Sequence, residues 1–154
     1  MGRMFIRIAK LSLAAAACAA LAAGCQRASS SSSLGERLAP ATTQAVPEVS
    51  VTEVLSFTKD KSAAIFDAND ADTRQKFGVV PGAVLLASHK DYPLSILPPA
   101  KNDKLVFYCG GTQCRASDAA AMRAASAGYS DVSVMRAGIR GWKEAGLPTS
   151  APQS

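Results

Sequence analysis

The chain has 154 residues, of which 48% are hydrophobic and 19% charged, with four cysteines and a formal net charge of +5. Three of its basic residues, Arg3, Arg7 and Lys10, lie at the extreme N-terminus with no acid beside them, so the remainder carries only +2 and the high isoelectric point belongs largely to the leader. No basic stripe interleaved with aromatics remains, which argues against a nucleic-acid partner, and four cysteines over this length do not make a disulfide framework.

Those basic residues precede the apolar run Leu11 to Ala23, which has the build of a secretory signal and is too short to span a bilayer comfortably. The run ends in Leu21-Ala-Ala-Gly-Cys25, which resembles the lipobox of bacterial lipoproteins. The resemblance implies cleavage before Cys25, acylation of its sulfur and anchoring through several acyl chains. Gln26 in place of aspartate points to the outer membrane, with the domain facing the periplasm. Residues 1–24 are therefore read as the signal and 25–45, with the serine run Ser29 to Ser33, as a flexible tether. Residues 46–150 form one small domain and 151–154 a tail.

Within that domain the elements alternate. Val46 to Ser50 reads as a short strand. A helix follows over Val51 to Thr58, with Ser50 or Thr52 as its cap. Ala63 to Asp67 is an apolar strand ending at an acid, and Asp70 to Phe77 is a helix with acids first and bases last. Gly78 to Gly82 is a turn, Ala83 to Ala87 a strand, and Tyr92 to Pro99 irregular or a brief helix. Leu105 to Tyr108 reads as a buried strand and Ala119 to Ala127 as a helix capped by Ser117 or the residues just before it. Gly128 ends that helix. The strand Val132 to Met135 and a helix over Ile139 to Ala145 complete the order. Strands separated by short helices predict an α/β fold in three layers, a parallel sheet covered on both faces, whose ligand site lies outside the carboxyl ends of the strands.

Cys109 sits at that end. It closes the strand Leu105 to Tyr108 and opens the turn Gly110-Gly-Thr-Gln-Cys-Arg115, which leads into a helix. Backbone N–H groups can converge there and the helix N-terminus adds partial positive charge, so a thiolate at Cys109 is favoured. Such surroundings lower a cysteine pKa from about 8.5 to roughly 3.5–7.5. With Cys18 lost in the signal and Cys25 acylated, Cys109 and Cys114 are the remaining thiols, and in an oxidising compartment they can pair with one another.

Four segments in register, Ile65 to Asn69 with Asp72 to Phe77, Val80 to Leu85, Val106 to Cys109, and Ala137 to Pro148, resemble a single rhodanese domain in order and spacing. The resemblance covers essentially the whole domain. It implies a persulfide on Cys109 that takes sulfur from a small anionic donor such as thiosulfate and passes it to a thiol or cyanide-like acceptor. It implies no cofactor and no metal. The backbone N–H groups of Gly110, Gly111, Thr112, Gln113, Cys114 and Arg115 would hold the persulfide and the donor's oxyanion end.

Two departures from the family stand out. Asn69 occupies a place where many rhodaneses carry arginine, and Arg115 falls six residues after Cys109 where single-domain sulfurtransferases commonly have five. Cys-x5-Arg is also the spacing of cysteine phosphatases and rhodanese-fold arsenate reductases, and Cys109-x4-Cys114-Arg115 looks like the loop of low-molecular-weight tyrosine phosphatases. Phosphate-ester hydrolysis usually needs a general acid, and Asp118 and Asp131 have no evident placement for one. Arsenate or peroxide reduction needs a second thiol, which Cys114 could supply. The order of readings is thus sulfurtransferase, then thiol reductase or phosphatase, then a non-catalytic binding module.

Other residues have plainer roles. Cys114 is either a resolving thiol or a loop residue turned into the core, and Arg115 is expected to line the pocket rather than swing outward. Asp67 either orients the loop or caps a turn. Arg136 and Arg140 could attract an anion, with exposed charge as the default. Phe107 and Trp142 are core residues, and His89 stands alone.

Overall fold

In a computed structural model of the chain, residues 45–153 are described. The expected signal, the expected lipidation site Cys25 and nearly all of the expected tether lie outside them. Helix α1 (Val51–Asp60) begins at a capping box in which Ser50 Oγ accepts from Glu53 N and the Glu53 carboxylate accepts from Ser50 N. Such a cap contributes about 1 kcal/mol. Strand β1 (Ala64–Asp67) leads to α2 (Ala71–Phe77), whose N-cap Asp70 accepts from Thr73 N. Strand β2 (Val84–Leu85), a single 3-10 turn (Leu94–Ile96), β3 (Leu105–Tyr108), α3 (Ala116–Ser126), β4 (Val132–Met135) and α4 (Gly138–Glu144) follow.

The four strands form one parallel sheet in the order β2-β1-β3-β4. Alternation along each strand divides the core in two. Phe66, Leu105, Phe107 and Val134 pack with Ala120, Ala121 and Ala124 of α3, while Ile65, Val106, Tyr108 and Met135 pack with Val54 of α1 and Ile139 and Trp142 of α4. Helices therefore cover both faces, as the alternating elements predict. The parity of β3 also aims the side chain of the next residue, Cys109, toward α3, on the side of Leu105 and Phe107.

Three expected elements come out differently. The strand over Val46 to Ser50 shrinks to one parallel bridge, Glu48 to Val134, because Pro47 has no N–H to donate and Ser50 is committed to the cap of α1. The strand over Ala83 to Ala87 keeps two residues. Leu86 N still bonds to Asp67 O, but its carbonyl accepts from the Arg74 guanidinium at 2.9 Å rather than from another strand. Helix α3 starts at Ala116, ahead of the expected Ala119, so Ser117 is no cap: it lies inside the first turn, buried.

Candidate functional site at the carboxyl end of the sheet

Cys109 leaves the central strand β3 and is only 2% exposed, packed within the core cluster under α3. Its Sγ lies 3.3 Å from Ser117 Oγ. It is joined to Cys114 as a disulfide, with Cα atoms 6.3 Å apart, inside the span such a bond normally bridges. The reactive thiolate expected at Cys109 is therefore, in this state, half of an oxidised pair, buried and not part of the lining of the surface cleft. Cys114 is bonded to Cys109 and also packs against the core, so both features expected of it are present and its role as a resolving thiol is left to chemistry. Cys114 packs against the core on one side and lines the surface cleft on the other.

The backbone of the turn is held from below. Cys109 O accepts from Ile139 N at 2.8 Å and Gly110 O accepts from Arg140 N at 3.3 Å, so the first turn of α4 grips the loop's carbonyls. This docking needs Gly138. Its φ is +61°, and a Cβ there would lie 2.5 Å from Gly111 N and closer still to the Cys109 carbonyl oxygen. Within the turn Cys114 N donates to Gly111 O at 2.9 Å. Among the described residues no backbone carbonyl accepts from the N–H groups of Gly110, Gly111, Thr112 or Gln113.

A cleft of ≈ 560 Å³ opens over this turn, lined by Gly110, Gly111, Thr112, Gln113, Cys114 and, across from them, Ala137, Arg140, Gly141 and Glu144. Arg115, expected in the pocket, is not there. It occupies the N-cap position of α3 with its side chain 78% exposed and 3.6 Å from Asp118. Asp118 is also bound by Arg136 at 2.8 Å, and Arg136 reaches Glu48 as well, which takes Arg136 and Asp118 out of the chemistry. Arg140 is the arginine that remains at the cleft, and Glu144 is the acid that sequence reasoning overlooked. Asp131 sits before β4, at the opposite end of the sheet, paired with Lys104 at 2.7 Å.

Asp67 does not touch the turn itself. Wholly buried, it accepts from Asn69 N at 2.7 Å, from Tyr108 Oη at 2.5 Å and from Arg74 Nε at 3.1 Å. It therefore caps the turn after β1 and fixes Tyr108, the residue before Cys109, whose hydroxyl accepts in turn from Val80 N. Burial, reinforced by the Asp67 charge, pushes the Tyr108 phenol far up, so it stays a donor. Arg74, one of the bases late in its helix, is folded inward onto Asp67 and the carbonyls of Asp67 and Leu86. The signal for it was the acid seven residues upstream. Asn69 is 8% exposed, its Oδ1 lies where it would be 3.6 Å from a Cβ on Gly110, and its Nδ2 has no hydrogen-bond partner.

The sequence profile of the rhodanese-like domain matches residues 50–145. The chain belongs to this family. No curated protein matches it. Among solved structures, the rhodanese-like fold recurs in a human single-domain sulfurtransferase, with 24% identity over 64% of this chain and 96% of that one at a TM-score of 0.53. It recurs in a Rhodopseudomonas palustris protein described as a possible tyrosine phosphatase, with 22% identity over 68% and 84% at a TM-score of 0.55. A thiosulfate sulfurtransferase from Pseudomonas aeruginosa gives 22% identity over 70% of this chain and 21% of that one, at a TM-score of 0.59. At such identities the likeness is one of fold.

Proposed function

We propose that this rhodanese-like protein is a membrane-anchored sulfurtransferase that carries sulfane sulfur as a persulfide on Cys109. The observation that carries the reading is the position of Cys109, buried at the carboxyl end of the central strand and at the head of a turn whose residues line a cleft with Arg140 and whose first four N–H groups have no backbone acceptor among the described residues. A reductant first opens the disulfide. The Cys109 thiolate, accepting a hydrogen bond from Ser117 and lying near the N-terminus of α3, then attacks the outer sulfur of thiosulfate, and sulfite leaves. The amides of the turn and Arg140 hold the anionic end while this happens. A thiol or cyanide takes the sulfur from Cys109 and restores the thiolate. Sulfite is a good leaving group, so no proton donor is required. That suits a site whose loop aspartate, Asp118, is tied up by two arginines.

The family's fold neighbours named as sulfurtransferases support this choice. Phosphatase chemistry is disfavoured because Arg115 turns away from the cleft. A thiol-dependent oxyanion reductase is the second reading, favoured by the Cys109–Cys114 bond itself. Thiocyanate formation from thiosulfate and excess cyanide tests the first. The Cys114→Ser chain, in which no Cys109–Cys114 bond can form, should turn over, the oxidised wild-type chain should not, and Cys109→Ser should fall to background. Arsenate-dependent oxidation of a dithiol without any thiocyanate would promote the second reading instead. The anchor is tested by Cys25→Ala, which should move the chain from the membrane to the soluble fraction. Retention in the membrane would refute lipidation at that residue.

A further inference from the structure

Cys114 is not required for the transfer just described, yet its sulfur lies in bonding contact with that of Cys109 and on the wall of the cleft. A thiol so placed meets any persulfide formed on Cys109 before an external acceptor can reach it. We infer that Cys114 is an internal acceptor, so that the protein reduces the sulfane sulfur and releases it as hydrogen sulfide. The inference rests on the sulfurtransferase reading for its first step.

The chemistry balances without an unnamed reactant. Cys109 thiolate and thiosulfate give the Cys109 persulfide and sulfite. Cys114 sulfur then attacks Cys109 Sγ: the bond between Cys109 Sγ and the outer sulfur breaks, the Cys109–Cys114 bond forms, and the outer sulfur leaves with the electron pair and the Cys114 proton as HS⁻. The sulfane sulfur gains two electrons and the two cysteines lose them. The product of that step is the disulfide seen in the structure. A dithiol reductant returns both thiols, so the whole cycle converts thiosulfate and dithiol into sulfite, sulfide and a disulfide.

Three features of the site fit such a step. The two cysteines lie five positions apart in a turn held by α4, so the two sulfurs meet without any change in the sheet. Cys109 is nearly sealed from solvent while Cys114 is only partly buried, so an external dithiol attacks Cys114 and leaves Cys109 as the released thiolate. Ser117 Oγ, 3.3 Å from Cys109 Sγ, can donate to that leaving thiolate.

A single turnover tests the inference. The chain is reduced, freed of reductant and given thiosulfate without cyanide or external thiol. Sulfite and sulfide are then measured, and the tryptic peptide Leu105 to Arg115, which holds both cysteines and no others, is weighed. The wild-type chain should release sulfite and sulfide in equal amounts and end with the peptide lacking two hydrogens. Cys114→Ser should release sulfite alone and keep one added sulfur on the peptide. Sulfite with a lasting persulfide and no sulfide from the wild type, or equal sulfide from both chains, would overturn the internal-acceptor role while leaving sulfur transfer intact. Absence of sulfite from both would overturn the transfer reading beneath it, and the inference with it.

Discussion

Arg140 and Glu144 bring opposite charges to one cleft, and the balance between them sets how well a dianion is held. Arg140 is anchored at its backbone by the bond to Gly110, and its guanidinium lies 5.2 Å from the Phe77 ring, so it is directed rather than free. Replacing Arg140 by Ala should raise the KM for thiosulfate about fivefold, the equivalent of about 1 kcal/mol for a solvated charge pair. Glu144→Gln should lower it by a similar factor. Equal and unchanged KM values in both variants would place the donor elsewhere. At this scale the sequence was only partly legible. The place of Cys109 at the end of β3, and of the turn after it, could be read directly, because an apolar run followed by Cys-Gly-Gly marks a strand end. The side chain of Arg115 could not: its direction depends on Asp118, three residues on in the same helix, which competes with the pocket for it. Nor could Ser117 be read as the neighbour of the sulfur, since a serine at a helix start reads as a cap.

Among the elements, β1 and β3 are coupled by a buried polar network that the hydrophobic pattern conceals. Asp67 ends one strand and Tyr108 the other, in register beside each other, and Arg74 crosses from α2 to close the set. Truncating Arg74 would leave a wholly buried carboxylate short of its cation, a loss of roughly 3–5 kcal/mol in comparable sites. Two buried phenols, Tyr108 of this network and Tyr92 apart from it, also give the fold a pH limit. Burial pushes the Tyr92 phenol up to about 12 and the Tyr108 phenol higher, against about 10 in the unfolded chain. Above that unfolded value the unfolded state releases protons that the folded state retains, so stability is full below about pH 10 and falls as pH rises, by about 1.4 kcal/mol per unit for each phenol. Denaturant midpoints from pH 9 to about 11.5 should show this fall, and Tyr108→Phe should lessen its slope. A flat profile would mean that the phenol is not sealed. Helix and strand order were legible because caps, glycines and apolar runs mark them locally. The edge strand β2 was overdrawn because the partner that stops it, Arg74, lies twelve residues upstream of Leu86.

For the molecule as a whole, the proposed anchor and the site suit one another. A domain held at the membrane in an oxidising compartment would rest with Cys109 and Cys114 joined, and would act only where electrons reach it as dithiols. The family could be read from the chain because its segments are spread over the whole domain, from Ile65 to Pro148, and the sheet brings their ends together. The redox state of the site could not, since pairing depends on how the turn bends over α4 and Gly138, which the spacing of two cysteines does not dictate. The chemistry proposed for the protein passes through a sulfur atom held on Cys109. The most direct measurement is the mass of the Leu105 to Arg115 peptide from the reduced Cys114→Ser chain after thiosulfate, read against Cys109→Ser. The account predicts one added sulfur located on Cys109 and none in the second variant, whereas an unchanged peptide in both, with no sulfite released, would contradict it.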